Sequence, residues 1–263
     1  MDEATSPEVP FNVNSKFNPA AGLVASSTTG DFIVCGRITL ATLPQSLAEF
    51  MAGLKFPNIE PRYNIAPTQP ILCVLNQDQQ PACVDLSWGL IPSWEKDPAR
   101  ARRHFNARSE TAAEKPSFRA AFKKRRCAIL ADGFYEWAVE GKRKLPFHMT
   151  RADGGLLWIA GLWEPGDKDV GPGNTCTILT TSANDFMAPL HHRMPVILGE
   201  QYVPMWTDET FTNTDQLQSV LKPCAEDFLT MRQVSQHVNN ARHQGPECLA
   251  DPPPPPPQQQ SLF

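Results

Sequence analysis

Glu136 has the sequence context that most favours acid–base chemistry. It follows Phe134 and Tyr135 and precedes Trp137. Burial among aromatic rings disfavours a charged carboxylate, so it raises the pKa and suits the group to proton transfer near neutral pH. The alternative is a glutamate that points to solvent from an alternating strand.

His191 and Cys35 are the candidates for proton donation and nucleophilic attack. His191 lies beside Arg193 in the proline-bounded loop 187–195. An imidazole there can donate a proton, or it can be a structural histidine bonded to the backbone. A lone cysteine such as Cys35 is usually a small buried apolar residue. A Cys/His/Glu catalytic set would require convergence in space that the sequence does not show.

Asn106 and Arg108 lie in the polar stretch 104–111. Asparagine can position a substrate, and arginine can bind phosphate through two parallel hydrogen bonds. The alternative is structural, because Asn106 or Ser109 could cap a helix over 107–114.

Charge is distributed unevenly along the chain. The net charge is −4, yet residues 96–151 contain fifteen Lys/Arg and six Asp/Glu, and the remainder contains nine and twenty-two. Aromatic residues are interspersed, which suits a groove for single-stranded nucleic acid, although from the charges alone we favour solvated surface faces. The basic residues form three clusters, Arg100–His104, Lys123–Arg126 and Lys142–Lys144.

The elements that must position these residues are mostly short strands. Residues 1–33 lack periodicity and predict a disordered extension, and six prolines at 252–257 predict a stiff spacer. Helices are expected at 44–54, 107–114, 116–124 and 214–221. No βαβ rhythm occurs, so we expect a single α+β domain with a largely antiparallel, barrel-like sheet and flanking helices. The apolar runs that predict strands are 71–75, 82–87, 126–131, 134–139, 156–163, 175–181 and 195–198.

Several classes of protein are excluded by what the sequence lacks. No apolar run is long enough to span a bilayer, and the acidic start MDEATSPEVP is no secretory signal. Seven scattered cysteines form no Cys-x-x-Cys pair, which indicates reduced cytosolic thiols. Neither a Gly-rich phosphate loop nor metal-ligand spacing occurs, so we expect no metal and no cofactor.

Eight ordered motifs resemble the SOS response-associated peptidase family, the SRAP domain, over about residues 35–245. They are Cys35–Arg37 (CGR), Arg62–Pro67 (RYNIAP), Trp88–Trp94 (WGLIPSW), Asn106–Thr111 (NARSET), Cys127–Trp137 (CAILADGFYEW), Ala160–Trp163 (AGLW), Thr180–Asn184 (TTSAN) and His191–Pro195 (HHRMP).

The resemblance implies a sensor of abasic sites in single-stranded DNA. In the family, an N-terminal cysteine forms a thiazolidine crosslink with the ring-opened sugar, and a cysteine-peptidase activity linked to self-processing is also assigned. By motif, Cys35 is the nucleophile, Asn106 orients it or the sugar, Glu136 is the general acid–base and His191 protonates the sugar oxygen. The implied DNA-binding residues are Arg37, Asn64, Pro67, Trp94, Arg108 and Arg193.

One departure from the family concerns the position of Cys35, which is not residue two here. Translation could start at Val34, because the valine codon GTG sometimes initiates in bacteria. Residues 1–34 could instead be a propeptide, or the extension could stay and block the α-amine. We favour them in that order. The expected parts are an extension (1–34), an SRAP-like domain (35–248) and a linker with a tail (249–263).

The last residues, QQSLF, resemble the peptide with which bacterial repair proteins bind the sliding clamp. Gln259 and Ser261 would make polar contacts, and Leu262 and Phe263 would fill an apolar pocket. A low-complexity tail that ends by chance in two apolar residues is the alternative.

Three functions therefore remain open. The first is an enzyme that crosslinks to abasic single-stranded DNA, and the second is a cysteine peptidase or amidase with Cys35, His191 and Glu136. The third is a non-catalytic adaptor between single strands and the clamp. In each case we expect a cytoplasmic monomer, associated with the nucleoid during DNA damage and not with a membrane.

Overall fold

The computed structural model describes residues 35–42, 60–77 and 80–254. The predicted extension 1–34, the predicted helix 44–54 and the clamp-like peptide 259–263 all lie outside these ranges. The described residues contain every motif of the family resemblance, and therefore every expected catalytic and DNA-binding position.

Thirteen strands and four short α-helices form within the described ranges. The strands are β1 (Ile38–Leu40), β2 (Arg62–Ile65), β3 (Pro70–Gln77), β4 (Gln80–Trp88), β5 (Asn106–Arg108), β6 (Arg126–Ala131), β7 (Gly133–Glu140), β8 (Arg143–Arg151), β9 (Leu157–Glu164), β10 (Thr175–Ser182), β11 (Arg193–Pro195), β12 (Ile197–Leu198) and β13 (Leu229–Gln233). The helices are α1 (Ser109–Ala112), α2 (Arg119–Lys124), α3 (Val203–Thr207) and α4 (Thr214–Ser219), with 3₁₀ turns at Glu200–Tyr202, Gln236–Asn239 and Pro246–Leu249.

These strands form two sheets. The smaller is antiparallel, in the order β13-β8-β7-β1-β2. The larger has the order β11-β10-β4-β3-β6-β9-β12, with β5 also beside β10. Because β9 pairs with β10 as well, strands β10, β4, β3, β6 and β9 close into a ring. The predicted α+β class is confirmed, and the barrel-like expectation corresponds to this ring-like sheet.

The core follows from apolar runs that are covered on both faces. All six residues of β6 are buried, and this strand lies between β3 and β9. A strand with two buried faces shows an unbroken apolar run, as the sequence of β6 does after its first residue. Trp88 and Trp206 are fully buried, and their indole nitrogens donate to the carbonyls of Phe105 and Cys127 at 2.8 and 2.9 Å. Each ring therefore packs without losing its hydrogen bond.

Arg126 is a buried cation that joins two helix ends. It is 1% exposed, and its guanidinium donates to the carbonyls of Phe122 and Lys123 at the end of α2. It also donates to carbonyls at and beyond the end of α3, those of Trp206, Asp208 and Phe211. Helix C-termini leave carbonyls without partners and favour a nearby positive charge. Arg126 belongs to one of the basic clusters considered for a nucleic-acid groove. Its charge is instead structural.

One predicted helix is corrected by the structure. Residues 107–114 do not form one helix, because Asn106–Arg108 extends as β5 and the helical turn covers Ser109–Ala112. Its N-cap is Arg108, without a side-chain capping bond, so the alternative in which Asn106 or Ser109 caps the helix is wrong. The strand pairing with β10 determines the backbone here in place of local helix propensity.

The described residues also bear on membrane and metal binding. Across 35–42, 60–77 and 80–254, no helix is long and apolar enough to cross a membrane. In the same ranges, no group of three or more His, Cys, Asp or Glu side chains is placed to hold a metal ion. The cysteines, all of which lie in these ranges, are free thiols.

Candidate functional site

Cys35 and Glu136 meet where β1 pairs with β7. Ile38 lies opposite Phe134 in this antiparallel pair, and the amide of Tyr135 donates to the carbonyl of Arg37 at 2.9 Å. The backbone nitrogen of Cys35 consequently lies beside the side chain of Glu136 and donates to its Oε1 at 2.6 Å. Sequence neighbourhood alone could not reveal this contact, because the two residues are 101 positions apart.

Burial determines the protonation of both groups. Glu136 is 5% exposed, and burial raises its pKa to about 8, although N–H donation from Cys35 and Trp137 opposes the shift. Burial also raises the pKa of the fully buried Cys35 thiol, and the charge of Glu136 adds to that effect. Near neutral pH the carboxyl can therefore both give and accept a proton, whereas the sulfur is a thiol. A peptidase nucleophile is usually a thiolate, which this environment disfavours.

The backbone at Cys35 is in an unusual conformation. Its φ is +48°, in the left-handed region that side chains other than glycine rarely adopt. Residues held in such regions cost about 1–3 kcal/mol and persist where the surroundings fix them, often at functional sites. At Cys35, the bond to Glu136 and full burial provide those surroundings.

His191 is fixed as one tautomer by a backbone bond. Its Nδ1 accepts the N–H of Arg193 at 2.9 Å, so in the neutral ring the proton is on Nε2. Burial lowers the pKa of this imidazole, and the neighbouring His192 lowers it further. Nε2 is buried and has no hydrogen-bond partner among the described residues. The ring is therefore neutral, with an unused donor at Nε2.

Asn106, Arg108 and Arg193 lie along β10. Asn106 and Arg108 pair with Ile178 and Thr180 through β5, and Arg193 pairs with Ser182 through β11. The Asn106 side chain is half-buried, and that of Arg108 is exposed. Strand pairing thus brings three of the expected residues to one strand, although they come from segments more than eighty residues apart.

Arg193 is already paired, with a residue that the sequence analysis missed. Its guanidinium binds both carboxylate oxygens of Glu110 at 2.6 and 2.9 Å and the carbonyl of Thr180 at 2.6 Å. The arginine hydrogen bond is the main cause of the lowered pKa of Glu110. A phosphate at Arg193 would have to compete with this carboxylate. Glu110 lies in the NARSET motif, but nothing local to that motif identified its partner.

Arg37 and Asn64 hold the C-terminal part of the domain. Arg37 donates to Asn64 Oδ1 at 2.5 Å and to the carbonyl of Val238 at 2.9 Å. Asn64 is fully buried, and its amide nitrogen donates to the carbonyls of Asn240 and His243 at 3.1 and 2.8 Å. The side chain of Asn64 therefore forms hydrogen bonds with backbone carbonyls of the C-terminal part. Arg37, half-buried, also lies over the ring of Trp137 at 5.6 Å.

Pro67 and Trp94 are on connections between strands. Pro67 is half-buried in the turn between β2 and β3, before Thr68, whose φ is +78°. Trp94 is 61% exposed in the connection from β4 to β5. An exposed indole on a basic loop is a surface on which a base can stack.

The chain matches a known family over most of its length. Residues 34–241 match the sequence model of the family described as SOS response associated peptidase (SRAP). The chain is 40% identical over 221 residues to "Abasic site processing protein YoaM" of Bacillus subtilis (strain 168), which covers 82% of this chain and 97% of that protein. It is 32% identical over 267 residues to "Abasic site processing protein HMCES" of Xenopus tropicalis, which covers 82% of this chain and 78% of that one.

Solved structures share the fold. A protein from Bacteroides thetaiotaomicron superposes with a TM-score of 0.71 at 22% identity and covers 82% of this chain and 99% of its own. A protein from Bordetella bronchiseptica gives a TM-score of 0.64 at 26% identity, with 76% and 100% covered. At 22% identity, the similarity to the Bacteroides thetaiotaomicron protein bears on the fold alone.

Proposed function

The chain belongs to the SOS response associated peptidase (SRAP) family, and from this premise we propose that it processes abasic sites in single-stranded DNA by forming a covalent adduct through Cys35. The names of its curated relatives support the substrate. The observation that carries the chemistry is the 2.6 Å contact between the Cys35 nitrogen and Glu136. The protein would act as a cytoplasmic monomer without a cofactor, at the nucleoid, where single strands are exposed.

The reaction joins an aminothiol and an aldehyde with loss of water. The neutral α-amine of Cys35 adds to the aldehyde carbon of the opened sugar and forms a carbinolamine. Glu136, protonated because of its raised pKa, donates to the departing hydroxyl, which leaves as water. The Cys35 thiol then adds to the carbon of the resulting iminium while its proton passes to the Glu136 carboxylate, which restores the acid and closes a five-membered thiazolidine. Ring closure is intramolecular and gains from proximity.

The remaining expected residues would prepare the sugar and hold the strand. His191, a neutral donor at Nε2, would protonate the ring oxygen as the sugar opens. Asn106 would orient the sugar or the amine, and Arg108 would bind phosphate. Arg193 would do so only after exchanging Glu110 for phosphate, because both terminal nitrogens of its guanidinium now bind that carboxylate.

The chemistry requires a free α-amine. An α-amine has a pKa near 8, so much of it is neutral in the cell, whereas a peptide nitrogen does not add to aldehydes. We therefore expect an abasic oligonucleotide to form a heat-stable adduct, seen on a denaturing gel, with protein that begins Met-Cys35 and loses its methionine. Protein that retains residues 1–34, checked by intact mass, should form none. Adducts with both forms would contradict the aminothiol mechanism.

Two variants of the Met-Cys35 form test the assigned roles. Cys35→Ala should abolish the adduct yet retain affinity for the strand. Glu136→Gln should slow adduct formation by about 10²–10⁴-fold, the usual contribution of a general acid–base. Glu140→Gln removes an exposed carboxylate from the same strand and should leave the rate unchanged. Equal rates for both glutamine variants would remove Glu136 from the mechanism.

Self-processing is a second candidate activity, favoured by the same contact. If residues 1–34 are a propeptide, the Cys35 thiol can attack the carbonyl of Val34 as the peptide bond breaks. Glu136 lies at the departing nitrogen and can protonate it. Water then hydrolyses the thioester to a Val34 carboxylate and a free Cys35 thiol. Intact-mass spectra over time should show loss of residues 1–34 from the wild type and none from Cys35→Ala; an equal loss from both would contradict this activity.

The C-terminal QQSLF peptide supports a third proposal, binding to the sliding clamp. Gln259 and Ser261 would make polar contacts, and Leu262 and Phe263 would enter an apolar groove. Deletion of 259–263 should abolish pull-down of the clamp and leave adduct formation unchanged. Gln258→Ala, which changes the glutamine just before the peptide, is the matched control and should retain pull-down. Undiminished pull-down by the deletion variant would remove the peptide from consideration.

A further inference from the structure

A cleft of about 480 Å³ has a lining that contains none of the four catalytic candidates, and the proposed chemistry does not use it. It opens where the turn after β2, the end of β4 and the loop between β9 and β10 meet. Its charged lining residues are Arg103, Lys168 and Asp85, and its neutral polar ones are Thr68, Ser87 and Asn174.

The side chains of both cations of the cleft, Arg103 and Lys168, pack against glycines. Gly89 has a φ of +134°, and a Cβ there would lie 3.1 Å from Cβ and 3.2 Å from Cδ of Arg103. Gly173 has a φ of +73°, and a Cβ there would lie 2.7 Å from Cγ of Lys168. A side chain at either glycine would thus displace the stem of a cation. Arg103 is half-buried and Lys168 is exposed, and the stem of each lies against backbone at the cleft.

The charge of the cleft favours an anion. Asp85 offsets one of the two cations that line it. Asp85 in turn lies close to Arg62: burial lowers the pKa of that guanidinium, and the charge of Asp85 opposes the shift. Arg62 donates to the carbonyl of Pro70, which also lines the cleft, so a third cation stands at its edge. Positive charge therefore exceeds negative charge at the cleft.

The cleft and the candidate site share one edge of β10. Ser87 of the cleft pairs with Thr175, and Asn106 of the site pairs with Ile178, on the same strand. Three residues of strand span about 10 Å, so Ser87 and Asn106 pair with positions about that far apart on β10, whose own residues from Thr175 to Thr181 are buried. Thr68 also directly follows Pro67, one of the expected DNA contacts.

We propose that this cleft binds a phosphate of the DNA strand that flanks the abasic site, through Arg103 and Lys168. The inference rests on the proposed function and adds the path of the strand beyond the reacting sugar. Ser87 and Asn174 supply neutral polar groups, and the described lining residues include no aromatic ring on which a base could stack, which favours a phosphate. A free phosphate or a mononucleotide has the same chemistry, and the experiment below separates these sources.

The test compares Lys168→Gln and Arg103→Gln with Lys222→Gln, an exposed lysine elsewhere on the chain. Affinity for a labelled abasic strand is measured by fluorescence anisotropy over a range of salt concentrations. For single strands, each lost phosphate contact lowers the slope of log affinity against log salt by about 0.7, which is about five-fold in affinity at 0.1 M salt. We expect this loss for each cleft variant on a long oligonucleotide, and none for Lys222→Gln.

A short oligonucleotide that ends before the cleft provides the second arm, and small phosphates provide the third. The cleft variants should bind the short strand as the wild type does, and should form adduct at the wild-type rate when DNA is saturating. Inorganic phosphate and deoxyadenosine monophosphate are titrated by thermal shift. Stabilisation of the wild type by these compounds, with unchanged strand affinity of the cleft variants, would assign the cleft to a small ligand and overturn the proposal.

Failure of this inference is distinguishable from failure of the proposed function. If the wild type forms the adduct but the cleft variants bind the long strand as tightly as the wild type does, the strand does not use the cleft. If the wild type itself neither forms an adduct nor binds the strand, the proposed function is wrong and this inference falls with it.

Discussion

The contact between Glu136 and the Cys35 nitrogen connects one protonation event with the stability of the fold. Burial raises the pKa of Glu136 to about 8, so the folded protein retains a proton that the unfolded chain releases near its ordinary value of 4.5. Between these two values the folded state binds more protons than the unfolded state. The free energy of unfolding therefore falls as pH rises through this window, by at most about 1.4 kcal/mol per pH unit.

Glu136→Gln tests this linkage, because glutamine does not ionise. Relative to the wild type with residues 1–34 in place, the variant should gain free energy of unfolding as pH rises from 5 to about 8, and little more above that. Urea unfolding at several pH values measures the difference. Glu140→Gln is the control, because Glu140 is exposed on the same strand. A constant difference between Glu136→Gln and the wild type over this range would contradict the raised pKa.

At the scale of elements, Arg126 joins α2 to the end of α3. Its guanidinium donates to five backbone carbonyls, and burial lowers its pKa to about 10. Arg126→Leu would leave these carbonyls buried without partners. Hydrogen bonds to a charged group contribute about 1.5–3 kcal/mol each, so we expect a loss of about 3 kcal/mol or more in the free energy of unfolding.

Arg119→Leu is the matched control for that substitution, because Arg119 is exposed on the same helix α2. An exposed substitution usually changes stability by less than about 0.5 kcal/mol. Both variants are measured by urea unfolding with a far-UV signal. Equal losses for the two would show that the carbonyl contacts of Arg126 do not stabilise the junction.

Strands with apolar runs were predictable, whereas strands with mixed composition were not. Residues 126–131 form β6 as predicted, because both faces of that strand are buried. By contrast β8 contains charged residues and Pro146, and β13 has exposed residues at alternate positions. Both strands are defined by their pairing with each other and not by local composition.

The sequence predicted which residues form the candidate site, but it did not predict the contacts between them. Motifs identified Glu136, His191 and Asn64, but no local pattern indicated that Glu136 bonds the Cys35 nitrogen or that Asn64 holds carbonyls near the C-terminus. These contacts join residues more than one hundred positions apart, so they depend on sheet pairing. The basic residues of segment 96–151 likewise do not all support a nucleic-acid groove. Arg126 is structural, and Arg125 pairs with Glu164 at 2.7 Å.

At the scale of the molecule, the distribution of thiols tests the fold as a whole. Cys83 and Cys224 are half-buried, and burial raises their pKa to about 12 and about 11. The fully buried thiols are Cys35, Cys73, Cys127, Cys176 and Cys248. We expect an alkylating reagent at alkaline pH to modify Cys83 and Cys224 first in the native protein, as read by peptide mass spectrometry.

The denatured chain provides the reference for this labelling. In concentrated denaturant all seven thiols should react at similar rates, because the protection comes from the fold. Modification of Cys73, Cys127 or Cys176 in the native protein at the denatured rate would contradict the arrangement of the ring, where β3, β6 and β10 bury them.

The bonds of Arg37 and Asn64 to Val238, Asn240 and His243 have a mechanical consequence. They bring the beginning and the end of the described domain together at the candidate site. A pulling force applied at residue 254, for example through a tethered partner, would first load the 2.8 Å bond from the Ser235 amide to the Ala250 carbonyl. Once that bond opened, the force would act on the segment from Gln236 to Leu249. Tension on that segment would be transmitted to Arg37, two residues from Cys35, so the reactive residue would be sensitive to load on the C-terminal side of the chain.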